Sequence, residues 1–147
     1  MSNKIVEYLG GTVKGNNGSN FVSTESFTGS GKVVGLYFSA HWCPPCRSFT
    51  PELARKYTKY KQQYPSFEIV FVSSDRSEND FDSYFSEMPW LALPFNEEGK
   101  KNKLMAQFGV RGIPALVILN GETGKVISKD GRADTASETY PTRWKLQ

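Results

Sequence analysis

The chain of 147 residues carries only two cysteines and one histidine. Structural zinc takes four protein ligands, usually two cysteine pairs or one pair with two histidines. A metal centre within one chain is therefore not expected, and two cysteines leave none for a framework of structural bridges. No apolar stretch is long enough to span a bilayer. The opening residues Met1-Ser2-Asn3-Lys4-Ile5-Val6-Glu7-Tyr8-Leu9-Gly10 lack the uninterrupted apolar core of a signal peptide. These features read as a protein of a reducing compartment, the cytoplasm, with no membrane partner. The net charge of +3, from 18 Lys and Arg against 15 Asp and Glu, is too small to argue for nucleic acid, and no basic block supports it. No Gly-x-Gly-x-x-Gly follows a strand, so no dinucleotide site is expected. No repeat or linker divides the chain, which reads as one domain over residues 1–147, with an N-terminal extension (1–31) and a C-terminal tail (133–147).

What is present centres on Ser39-Ala40-His41-Trp42-Cys43-Pro44-Pro45-Cys46-Arg47, which holds both cysteines as Cys-x-x-Cys. Upstream, residues 32–38 form an apolar run rich in β-formers; downstream, Phe49, Leu53, Tyr57, Tyr60 and Tyr64 recur at helical spacing. The pair therefore falls where a buried strand ends and a helix begins. Unpartnered backbone N–H groups and the positive end of the helix dipole favour an anion there. Cys43 is expected to ionise more readily than an isolated thiol. Pro44 suits the first turn, where its missing N–H costs nothing. A three-residue separation brings the two sulfurs to one helix face, ready to close or reopen a disulfide by thiolate exchange. The spacing predicts a redox dithiol, with Cys43 as nucleophile and Cys46 as the more buried, initially protonated partner, and no further cofactor.

Along the rest of the chain, Ile5, Val6, Tyr8 and Leu9 make a brief apolar cluster, either a short helix or an edge strand. Val13 and Phe21-Val22 read as a small hairpin across turn-forming residues 15–20, covering one sheet edge. A strand at 33–38 leads to a helix over 44–62, where Pro51 removes one backbone hydrogen bond and is expected to kink the helix. A strand at 67–74 and a helix at 77–87 follow, the latter burying Phe81, Tyr84 and Phe85. Residues 88–95 form an apolar, proline-bounded connection, and 103–108 a short helix. Residues 115–119 and 125–128 pair across the turn 120–124. This succession predicts an α/β fold with a central mixed sheet flanked by helices. Sites in such sheets gather at the carboxyl ends of parallel strands. Cys43 follows one such end and Asp75 the next.

Trp42-Cys43-Pro44-Pro45-Cys46 after a buried strand, with Ile113-Pro114 before a hairpin, resembles the thioredoxin superfamily. Residues 37–51 and 88–95 resemble its tryparedoxin and nucleoredoxin branch, and the likeness covers roughly residues 30–132. The resemblance implies a thioredoxin-like fold and a thiol–disulfide oxidoreductase that reduces protein disulfides, peroxiredoxins among the acceptors. A low-molecular-weight thiol or a reductase would supply electrons. A redox-gated binding module of nucleoredoxin type is the alternative; nothing requires more than a monomer. It implies a cis Pro114, with the backbone of Ile113 pairing with an extended substrate segment. Arg132 is placed near the sheet end to meet an anionic partner.

Thioredoxins carry a buried aspartate six residues before the first cysteine, and here that position is Tyr37. The proton acceptor for Cys46 is thereby left open. Asp75 is the first candidate and Glu78 the second, although Asp75-Arg76-Ser77-Glu78 also has the spacing of a capping box. Trp42 is read either as a shield and docking surface beside the dithiol or as a core aromatic. His41 and Arg47 are read as solvated.

Overall fold

Seven consecutive buried residues in each of β3 (Val33–Ser39) and β4 (Phe67–Ser73) mark strands covered on both faces. The structure, a computed structural model, describes residues 3–16, 20–137 and 143–146. β3 and β4 run parallel in the register Val33↔Phe67 to Ser39↔Ser73, so both end at the same edge. On the other side of β3, β6 (Ala115–Asn120) runs antiparallel, with Phe38 opposite Ala115. That register sets Pro114 beside the point where the chain leaves β3. β7 (Val126–Ser128) closes this side as the return strand of a hairpin.

Beyond β4 lies β5, only Leu91–Ala92, parallel to β4 and antiparallel to β1 (Thr12–Lys14), which pairs with β2 (Phe21–Ser23). The sheet order is β2-β1-β5-β4-β3-β6-β7. The N-terminal segment thus covers a sheet edge as the sequence predicts. Its first apolar cluster is a helix, α1 (Lys4–Leu9), because the Asn3 side chain caps the backbone N–H groups of Ile5 and Val6. The connection at 88–95 holds a strand that the sequence does not announce; two residues have no period to read, and their pairing partners define them.

Alternation along the strands separates two apolar layers. Tyr37, Ile69, Phe71, Leu116 and Ile118 face α2 (Pro44–Gln63) and α3 (Glu78–Phe85). Leu36, Phe38, Val70, Val72 and Val117 face Ile5 and Leu9 of α1 and Leu104 of α4 (Glu98–Gln107). α2 runs unbroken with Pro51 in its interior. α4 begins five residues before the expected start, since its first turns are polar and carry no buried residue ahead of Leu104. α3 is capped by Ser77, whose hydroxyl accepts from the Asp80 N–H at 3.1 Å. The N-cap therefore falls at Ser77, two residues beyond Asp75, because the chain turns into helix only after Ser77.

The tail is anchored through α5 (Gly131–Asp134) and Trp144. Trp144 is fully buried against Tyr60 and Phe67, and its Nε1 donates to Asp134 Oδ2 at 2.9 Å. Residues 138–142 and 147, also assigned to the tail, lie outside the described residues.

Candidate functional site

The ends of β3 and β4 are tied together before the dithiol begins. Ser74 N donates to Ser39 O at 2.9 Å, continuing the parallel ladder by one bond. Two residues beyond the last residue of each strand, His41 N donates to Asp75 Oδ1 at 2.7 Å. Asp75 Oδ2 accepts from Ser73 Oγ at 2.6 Å, and Ser73 Oγ in turn accepts from Asp75 N at 2.9 Å. Both carboxylate oxygens are thus engaged in holding the loop that delivers Trp42 and Cys43. Glu78 is exposed at the first position of α3.

Cys43 occupies the N-cap of α2 in extended conformation, and its carbonyl accepts from Arg47 N at 3.1 Å, starting the helix. Pro44 and Pro45 open the first turn. The Cys43 thiol points across to the cis Ile113–Pro114 peptide, with Sγ 3.7 Å from Ile113 O. Ile113 also packs against Ala40, Cys43 and Cys46. Both cysteines are free thiols, Cys43 with 5% exposure and Cys46 with none. Burial is the main reason that the Cys46 thiol is pushed up to about 11, and its hydrogen bond with Cys43 raises it further. Contacts from the Ser39 hydroxyl and the Ala40 backbone act the other way. Both thiols are buried but differ in place: Cys43 lies at the N-cap of α2 facing Ile113 O, whereas Cys46 lies inside the first turn, where burial keeps it protonated at neutral pH.

Trp42 is 47% exposed, which excludes the core-aromatic reading. The ring is nonetheless fixed. Its Nε1 donates to Ser74 O at 2.9 Å, and the Arg76 guanidinium lies 4.9 Å from the ring centroid. His41 is not solvated as expected. It is half-buried, because its ring stacks on Tyr84 with centroids 5.1 Å apart. Arg47 is exposed, as expected. Arg132, on α5, lies over Phe49 at 5.7 Å and lines a groove of about 290 Å³ with Pro45, Ser48 and Glu52. That groove borders the first turn of α2, so Arg132 shares the dithiol's edge of the fold. Among the described residues, no group of three or more His, Cys, Asp or Glu is placed to hold a metal ion, and no helix is long and apolar enough to cross a membrane.

A set of hydroxyls behind Cys46 escaped the sequence reading. Ser39 Oγ meets Tyr84 Oη at 2.7 Å, Tyr84 Oη meets Thr50 Oγ1 at 2.5 Å, and Thr50 Oγ1 meets Tyr37 Oη at 2.6 Å. All four residues are buried. Thr50 lies four residues after Cys46, on the same helix face, and Ser39 is the polar end of an otherwise apolar strand. Those are the signals that could have revealed them. Tyr84 reads only as a core aromatic until the fold brings its hydroxyl to β3.

A parallel strand pair ending in a Cys-x-x-Cys helix start, opposite a cis-proline loop, defines a thioredoxin-like architecture built around a pair of thiols. The thioredoxin-like family model matches residues 31–126. The chain is 47% identical over 132 residues to mouse nucleoredoxin, covering 90% of this chain and 29% of that protein. It thus spans under a third of the nucleoredoxin length. The solved tryparedoxin of Trypanosoma brucei is 41% identical, with a TM-score of 0.85 and coverage of 93% of both chains. A tryparedoxin II solved in complex with glutathionylspermidine is 34% identical, with a TM-score of 0.82 over 94% of this chain and 92% of the other. The chain belongs to the thioredoxin-like family, in its tryparedoxin and nucleoredoxin branch.

Proposed function

We propose that this domain reduces disulfides in protein substrates by a dithiol cycle of Cys43 and Cys46. The observation that carries the reading is the asymmetry of the two sulfurs. Cys43, as thiolate, attacks a substrate disulfide and forms a mixed disulfide. Cys46 then attacks Cys43, releasing the reduced substrate and leaving the Cys43–Cys46 disulfide. The cycle uses these two thiols and no further cofactor. An extended substrate segment lies against the backbone of Ile113 beside Pro114, pairing in the manner of an added strand. Trp42 supplies a fixed apolar surface next to it.

Peroxiredoxin-type proteins are the acceptors that this reading favours. The electron donor is a low-molecular-weight thiol or a reductase. A small thiol is supported by the glutathionylspermidine bound to a related tryparedoxin, and Arg132 on the groove beside α2 is suited to an anionic donor or partner. The domain works as a monomer in the reducing cytoplasm. A second reading, a redox-gated binding module of nucleoredoxin type, draws on the exposed Trp42 and on the 47% identity to nucleoredoxin.

Turnover separates the two. Insulin reduction with a recycling dithiol should proceed through many cycles in the wild type and stop in Cys43→Ser. Cys46→Ser should accumulate a mixed disulfide with the substrate. A single slow exchange in the wild type would reject the reductase and leave the binding module.

A further inference from the structure

The resolving step requires the Cys46 thiol to lose a proton from a site with no solvent contact. We propose that Ser39 and Tyr84 carry this proton, Ser39 as the first link and Tyr84 as the next, toward the cavity beside Thr50. The inference rests on the dithiol cycle above. Ser39 is followed directly by Ala40, which clusters with Cys46, and Thr50 lies one helical turn beyond Cys46. The Ser39 hydroxyl eases ionisation of the Cys46 thiol and lies 2.7 Å from Tyr84 Oη. Tyr84 Oη continues to Thr50 Oγ1. Tyr84 and Thr50 form part of the wall of a cavity of about 150 Å³, completed by His41, Arg47, Pro51 and Glu87. That volume accommodates several waters.

Each link is a hydroxyl, both donor and acceptor, so the chain conducts in either direction. In the oxidising direction Cys46 gives its proton to Ser39 Oγ as its sulfur bonds to Cys43. The bond between Cys43 and the substrate sulfur breaks, and its electron pair leaves with the substrate as thiolate. The two protein thiols are oxidised by two electrons and the substrate disulfide is reduced by two. Ser39 passes its own proton to Tyr84, and Tyr84 releases one toward Thr50 and water. The reverse order reloads Cys46 when a donor thiol opens the disulfide. Burial keeps the Tyr84 and Tyr37 phenols above their ordinary range, so they act as neutral hydroxyls and not as bases.

Asp75, the carboxylate that the sequence nominated, is engaged elsewhere by His41 N and Ser73 Oγ. The titratable or charged groups facing this path are Cys43 and Arg47 from α2, Tyr37 from β3, Tyr84 from α3, and His41 and Glu87 at the cavity.

The test is stopped-flow oxidation of the reduced protein by a chromogenic aromatic disulfide, which releases one coloured thiol on attack by Cys43 and a second on resolution by Cys46. Ser39→Ala should leave the first phase intact and slow the second by about 100-fold, the lower end of general acid–base contributions. Tyr84→Phe should slow the second phase by about tenfold, whereas Ser39→Thr, which keeps the hydroxyl lost in Ser39→Ala, should retain most of the wild-type rate. The slowed phase should recover as pH rises, when hydroxide takes the proton directly. Wild-type second phases in both variants would overturn the relay, as would slowing of both phases together or slowing that alkali does not relieve. A wild type that releases only one coloured thiol would reject the dithiol cycle itself, a different failure.

Discussion

Replacement of Asp75 separates two roles that a buried carboxylate beside a dithiol can play. Its oxygens accept from His41 N at 2.7 Å and from Ser73 Oγ at 2.6 Å. Hydrogen bonds to a charged group contribute about 1.5–3 kcal/mol each. Asp75→Ala removes both, although Ser73 keeps its bond with the backbone of residue 75, so a net loss of about 3 kcal/mol is expected. At about 2–4 °C per kcal/mol for a chain of this size, the melting temperature should fall by ~6–12 °C. Turnover should fall with it, because the freed His41 N–H no longer fixes the approach to Cys43.

Asp75→Asn is the discriminating variant. The amide oxygen still accepts from His41 N, and the amide nitrogen donates to Ser73 Oγ. A positioning residue therefore predicts insulin reduction within about threefold of wild type and an unchanged pH profile. A carboxylate that accepted the Cys46 proton would predict a loss of about 100-fold or more, relieved at high pH. Thermal melts and initial rates across pH 6–9 would be measured on the same preparations. If Asn behaves as badly as Ala in rate while keeping the wild-type melting temperature, the positioning argument is refuted and the carboxylate is chemical.

Trp144→Ala empties a fully buried site against Tyr60 and Phe67 and takes a donor from the buried Asp134. A loss of about 3–5 kcal/mol is expected in urea unfolding, with the dithiol chemistry of the remaining folded protein preserved. Cys46 ionises less readily in the folded chain (about 11) than its ordinary value of 9.0, so the folded state binds more protons above pH 9 and stability must fall with rising pH. Cys46 alone should remove about 2–3 kcal/mol between pH 9 and 11, with the buried Tyr37 and Tyr57 phenols acting in the same direction. A urea midpoint that stays level across that window would contradict the burial argument.

The central fold was legible because its elements are periodic or continuously apolar. β3 and β4 are unbroken buried runs, and α2 repeats Phe49, Leu53, Tyr57 and Tyr60 along its inner face. The dithiol was legible because its chemistry lies in adjacent residues. Features set by distant partners were not. β5 exists only because β4 and β1 supply its hydrogen bonds. The first turns of α4 are polar and exposed, so burial gave them no pattern, while an ion pair of Lys100 with Glu97 at 2.6 Å spans its start. His41 reads as solvated from its neighbours and is half-covered because α3 brings Tyr84 beneath it. Trp144 stands in a polar segment, and only Asp134, Tyr60 and Phe67 show why it is buried.

The substitution of Tyr37 for a buried acid changes what governs the second sulfur. An ionisable carboxylate behind Cys46 would itself pay for desolvation and would titrate together with the thiol, so that neither group had a pH dependence of its own. The hydroxyls of Ser39, Tyr84, Thr50 and Tyr37 satisfy one another at 2.5–2.7 Å and remain neutral through the physiological range. They add no charge to repel the thiolate that must form, and the Ser39 hydroxyl lowers the cost of forming it. The opposing push on Cys46 comes from burial and from Cys43. Once Cys43 is bonded to a substrate it can no longer ionise, and its charge no longer opposes ionisation of Cys46. Formation of the mixed disulfide thus makes the resolving thiol easier to deprotonate at the point in the cycle when deprotonation is needed.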